Sequence, residues 1–146
     1  MERYPALNLP PVRLRASRRE GEERVWDALR GCWLLLTPEE WVRRHVIGWL
    51  CGEAGIPPAN IVQEFPLTLG GTRQRADIVV TGHGQHPVLL VECKAAEVAI
   101  DRCVLDQAVR YNSVVQAPYL MLTNFFAASE SSYRPLNAVP DLRDLL

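Results

Sequence analysis

The chain has 146 residues, 48% hydrophobic and 23% charged, which suits one globular domain with a core of its own. A net charge of −1 excludes a massively basic nucleic-acid-coating protein. No apolar run is long enough to span a bilayer, and the first twenty residues lack the apolar segment of a signal peptide.

Cys32, Cys51, Cys93 and Cys103 show no CxxC pair and no zinc-like spacing, so reduced thiols and a cytoplasmic location are expected. Residues 1–20 are rich in Pro and Arg and read as an extended arm ahead of a single domain over 21–146. Arg13, Arg15, Arg18 and Arg19 in that arm could touch phosphates or simply be solvated.

"RVWDALRGCWLLL" reads as a hairpin of two short apolar runs around Asp27–Gly31. "TPEEWVRRHVIGWLCGEAG" follows as a helix, with Thr37 as N-cap, Pro38 at the first helical position and Glu40 completing a capping box. Val42, Val46, Trp49 and Leu50 give it an apolar stripe, and 52–58 end it. "NIVQEFPLTL" is a strand weakened by Pro66. Gly70-Gly71 then turns the chain into the stronger strand "TRQRADIVVT". After the turn "GHGQHP" comes the strand "VLLVECKA", then a helix over 97–115 with Ile100, Val104, Tyr111 and Val114 on one face. "APYLMLTN" is apolar enough for a central strand covered on both faces, and "DLRDLL" suggests a closing helical turn. Helix, three strands, helix, strand predicts an α/β fold with a mixed sheet.

A hairpin turn centred between Gly84 and Gln85 places Asp77 directly opposite Glu92, their Cβ atoms about 4.5–5.5 Å apart. Strand alternation puts Asp77, Glu92 and Lys94 on one side of the sheet, with Val79 and Leu90 below. Two facing acids repel unless a cation lies between them. Protein can supply it: Arg75 would lie opposite Lys94, and the diagonals Glu92–Arg75 and Asp77–Lys94 would form a charge network. A divalent metal can also supply it, since Mg²⁺ takes one or two carboxylates and leaves other sites to water and phosphate. The lysine favours the metal. Lys94 is the chain's one lysine against fifteen arginines, and a structural ion pair would be better served by arginine. A compact ammonium suits a position beside a water or a developing oxyanion. His45, His83 and His86 have no third ligand in reach of the pattern, and Gly70-Gly71 is a hairpin turn, not a phosphate loop.

Asp77 followed by Glu92-Cys93-Lys94 resembles the PD-(D/E)xK nuclease motif, with Ala76 in place of the variable Pro. "LTPEEWVRRHVIGWL", "RADIVV", "LLVECKA", "QAVRYN" and "APYLMLTN", in that order, resemble the N-terminal nuclease domain of type I restriction enzyme R subunits in its small stand-alone form. "ALNLPP" and "VWDALRGCW" fit as well, whereas Phe125 stands where that family commonly has Gly. The resemblance implies a restriction-endonuclease-like α/β fold, a mixed sheet flanked by helices, and an acid near the metal at Glu40, whose other role is the capping box. It implies a Q-x-x-x-Y pair, Gln107 and Tyr111, bordering the active site; otherwise Gln107 is an amide in an apolar stripe that needs a backbone partner.

The expectation is therefore a Mg²⁺-dependent DNA endonuclease, with Mn²⁺ able to substitute. Asp77 and Glu92 would hold the metal with the Cys93 carbonyl and Glu40, and Lys94 would serve the attacking water. Gln107 joins the catalytic group, and Tyr111, Arg75 and Arg43 are the expected substrate contacts. DNA is the expected partner, with a homodimer or a separate helicase or translocase chain to complete double-strand cleavage. The rival is a catalytically idle DNA-binding or assembly module on the same scaffold, favoured if arginines satisfy both acids.

Overall fold

The computed structural model describes residues 4–124 together with Arg143 and Leu146. The expected closing turn over 141–146 lies outside the described residues apart from those two, and so does Phe125. Seven strands and two helices follow in order. These are β1 (Ala16–Arg19), β2 (Glu22–Asp27), β3 (Cys32–Leu35), α1 (Pro38–Gly52), β4 (Ile61–Leu69), β5 (Thr72–Thr81), β6 (Pro87–Cys93), α2 (Arg102–Val115) and β7 (Tyr119–Thr123). Strands β1–β2–β3 form a small antiparallel sheet, and β4–β5–β6–β7 form the central one. The architecture is mixed α/β, as the alternation of patterns predicts.

The small sheet contains the expected 24–36 hairpin, with Trp26 opposite Trp33, and takes its third strand from the arm itself, where Ala16 pairs with Val25. The rest of the arm lies back over α1. Tyr4 stacks on Trp41 at 5.3 Å and donates to the Leu36 carbonyl. A Cβ on Gly48 would meet Val12 at 2.5 Å, so glycine there lets the arm cross the helix closely.

Helix α1 begins where its sequence says. Thr37 Oγ1 accepts the Glu40 N–H at 3.1 Å, and Pro38 follows at a position whose own N–H would go unused. The reciprocal half of the capping box does not form, because the Glu40 carboxylate is drawn to Arg43 and Arg44. A charge-assisted hydrogen bond from Arg43 together with the ion pair to Arg44 outweighs one bond to a backbone N–H. Val42, Val46, Ile47 and Leu50 pack onto Ile78, Val80, Leu89 and Val91, covering one face of the central sheet. Alternation sends Val79 and Leu90 to the other face, against Tyr111 and Val115 of α2.

Helix α2 starts at Arg102 rather than at 97. Asp101 caps it by accepting the Val104 N–H, and that cap leaves Ile100 outside the helix. The buried stripe is accordingly Ala108–Tyr111–Val115, and Val114 is exposed. Strand β4 tolerates Pro66 because it is an edge strand. Gly70 and Gly71 both take positive φ, the two-residue turn that suits the twist of the β4–β5 hairpin. Strand β7 departs from expectation: it runs parallel to β6 but lies at the edge of the sheet among the described residues, with Tyr119 exposed.

Candidate active site

The centre of interest is a fork. Strands β5 and β6 pair antiparallel through Val80–Leu89, Val79–Leu90 and Ile78–Val91, the register that sets Asp77 against Glu92. There the backbone ladder gives way to side chains. The Asp77 N–H donates to Glu92 Oε1 at 3.1 Å, and the Cys93 N–H donates to Asp77 Oδ2 at 2.8 Å. Beyond the fork β5 stays with β4, while β6 stays with β7 through Glu92–Leu122 and Cys93–Thr123. Two carboxylates are thus fixed by backbone donors at the point where the sheet opens.

Helix α2 spans that opening. Lys94 Nζ donates to Gln107 Oε1 at 3.3 Å, Gln107 Nε2 donates to Tyr111 Oη at 3.4 Å, and Tyr111 Oη donates to Gln74 Oε1 at 3.2 Å. A phenol and an amide one turn apart therefore tie the β6 side of the fork to the β5 side. Neither diagonal of the expected charge network forms. Arg75 is 71% exposed and lies 3.6 Å from Glu64, and Lys94 is held by a neutral amide while its charge acts on Glu92 and Glu39 without a direct ion pair among the described residues. Glu64 itself sits opposite Asp77 with φ of +50°, a left-handed conformation that takes it out of the ladder and toward Arg30 and Arg75.

From the other side comes α1. Arg43 Nη2 reaches Asp77 Oδ1 at 2.6 Å, Nη1 reaches Glu40 Oε2 at 2.6 Å, and Nη2 lies 3.1 Å from Glu39 Oε1. One guanidinium thus serves three acids. Among the described residues arginine takes one oxygen of Asp77 but makes no ion pair with Glu92, which is buried. Burial and then the neighbouring Asp77 charge push the Glu92 carboxyl up to about 8, against an ordinary 4.5. Burial and Asp77 raise Glu39 too. Burial also raises the Cys93 thiol, whose side chain packs in the apolar core on the α1 side while its backbone serves Asp77.

The expected residues therefore fall into three groups. Asp77, Glu92, Lys94 and the Cys93 backbone meet at the fork, with Gln107 and Tyr111 beside it. Glu40 comes no nearer than through Arg43. Arg75 lies outside, lining with Arg73, Gln74 and Val114 an open groove of about 620 Å³ along β4 and β5. Among the described residues no three His, Cys, Asp or Glu side chains gather as a metal cage. The donors that do converge fit Mg²⁺, which needs only one or two carboxylates and otherwise prefers water and phosphate oxygen. Glu92, a buried carboxyl with no direct ion pair among the described residues and eased only by the nearby Lys94 charge, belongs to such a set.

Sequence reasoning missed the support behind Glu40. Glu40 Oε1 lies 2.8 Å from Arg44 Nε, and Arg44 Nη1 lies 3.0 Å from Asp27 Oδ1. Arg44 also bonds Gln63, and Asp27 is completely buried. Two signals were available: Asp27 is two residues beyond Val25 on one strand face, and Glu40, Arg44 and Ile47 share one helix face. Glu39, which touches Arg43, was also unmarked.

The scaffold is mixed α/β and sets an Asp across from the Glu of a Glu-x-Lys triplet at a break in the sheet. A family model described as type I restriction enzyme R protein N terminus (HSDR_N) matches residues 38–137, and the chain belongs to that family. Neither the comparison with curated proteins nor that with solved structures gives a match. No helix among the described residues is long and apolar enough to cross a membrane, and all four cysteines are free thiols.

Proposed function

We propose that the protein is a metal-dependent deoxyribonuclease that hydrolyses phosphodiester bonds at the β5–β6 fork. The observation that carries this reading is the pair Asp77 and Glu92, oriented by backbone N–H groups, with Lys94 beside them and tied to an amide rather than to either acid. Membership of a restriction-enzyme family supports DNA as the substrate and a divalent cation as the cofactor.

Asp77 and Glu92 would hold Mg²⁺ or Mn²⁺, with the Cys93 carbonyl as a further ligand. Such a cation supplies Lewis acidity to the phosphate and lowers the pKa of a bound water. Lys94 would orient the attacking water through its ammonium, and Gln107 would keep that ammonium aimed. Tyr111 braces Gln107 from below. The Arg73–Arg75 groove offers the backbone of DNA a positively charged approach to the fork. The decisive experiment incubates the chain with single- and double-stranded DNA in Mg²⁺, Mn²⁺ or EDTA. Cleavage that needs the cation supports the reading, and binding without cleavage under every condition returns the chain to an assembly or DNA-binding role.

The amide bridge makes its own prediction. Gln107→Leu retains the packing of α2 but removes both the acceptor for Lys94 and the donor to Tyr111. Such a supporting contact is worth about 10–100-fold. The variant is expected to melt near the parent and to lose cleavage by that order. Turnover equal to the parent's would reduce Gln107 to a packing residue.

A further inference from the structure

We propose that Arg43 is a resident competitor for the divalent cation: its guanidinium occupies Asp77 when the cation is absent and must release that carboxylate when the cation binds. This rests on the metal-dependent reading above. Asp77 has two oxygens. Oδ2 is committed to the Cys93 N–H at 2.8 Å, which leaves Oδ1 as the oxygen open toward the fork. Arg43 Nη2 sits on it at 2.6 Å.

A guanidinium cannot give up its proton near neutral pH, and two cations on one carboxylate oxygen repel. Cation entry therefore demands displacement, not neutralisation. The displacement is short and supported, because Arg43 keeps Glu40 through Nη1, and Glu40 is anchored from behind by Arg44. The side chain is only 12% exposed, so without such partners it would be a poorly solvated charge. Once off Asp77, Nη2 keeps Glu39 at 3.1 Å and has an N–H to offer a phosphodiester oxygen, which agrees with a substrate contact at Arg43. The metal-free protein is thereby kept from the mutual repulsion of Glu39, Glu40 and Asp77, and cation loading is coupled to the exposure of a phosphate-binding group.

The test measures Mn²⁺ binding by calorimetry, without DNA, for the parent, Arg43→Met and Arg43→Gln, alongside thermal melts in EDTA. Arg43→Met removes the charge at similar length. Arg43→Gln keeps an N–H for Asp77, so it serves if the first variant does not fold. Loss of the competitor is expected to tighten Mn²⁺ binding by about tenfold or more. Melting in EDTA is expected to fall while the Mn²⁺-induced rise in melting temperature grows. Affinity unchanged or weakened in a folded variant overturns the competition and leaves the metal-dependent reading standing. No saturable binding in any of the three proteins overturns both.

Discussion

A Lys94→Arg variant is expected to fold and bind DNA as the parent does, yet to cleave it about 10²–10⁴-fold more slowly, no better than Lys94→Ala. Conservation of charge is not the issue. Among the described residues Lys94 Nζ is held by the Gln107 amide and by no carboxylate, and the proposed site would use the ammonium as a compact charge that addresses a water. Arginine is longer, planar and permanently protonated. Its fork would reach for Glu92, which is buried and makes no ion pair among the described residues, and a guanidinium there would exclude the cation. Near-parental cleavage by Lys94→Arg would show that position 94 needs only a positive charge, and a water-directed role for the lysine would have to be abandoned.

Glu92→Gln is expected to lose at least about 10³-fold in cleavage, since it removes one of the two charged ligands at the fork. The same variant should gain stability without metal at alkaline pH. Glu92 keeps its proton in the folded state up to about pH 8, while the unfolded chain gives it up near the ordinary 4.5. Between those values the folded state binds the extra proton, so raising the pH favours unfolding, by up to about 1.4 kcal/mol per pH unit. Above pH 8 both states are ionised and the loss is complete. Glutamine carries no proton to lose, and its Oε1 still accepts the Asp77 N–H. Melts in EDTA at pH 5.5 and 8.5 should therefore diverge for the parent relative to the variant, with the variant the more stable at pH 8.5. Parallel melting curves would mean that Glu92 is not held as a buried, unpaired acid.

The facing of Asp77 and Glu92 was legible because a hairpin register depends on the turn and on period-two alternation, both local properties of the chain. Lys94 was legible through its rarity against fifteen arginines. The partners of these residues were not, because they come from elements distant in sequence. Arg43 meets Asp77 across thirty-four positions and Tyr111 meets Gln74 across thirty-seven. The start of α2 was misjudged for a local reason. The apolar periodicity runs back through Ile100, but Asp101 offers a side-chain acceptor that ends the helix one residue later. Among the described residues β7 is an edge strand, which its sequence does not show, because an apolar run reports burial of side chains and says nothing about which neighbours pair with the backbone.

The two buried arginines of α1 carry a consequence for where this molecule divides. Arg44, 4% exposed, belongs to the stretch that matches the family, but one of the two carboxylates that balance it, Asp27, lies in the 24–36 hairpin, eleven residues before that stretch begins. Through Glu40 and Arg43 the same hairpin is one ionic step removed from each link on the way to Asp77. The segment ahead of residue 38 is thus part of the electrostatic housing of the fork, not an appendage to it. A fragment trimmed to the matched boundary would retain every expected ligand and the Arg44–Glu40 pair, yet leave Arg44 without Asp27, its completely buried acid partner.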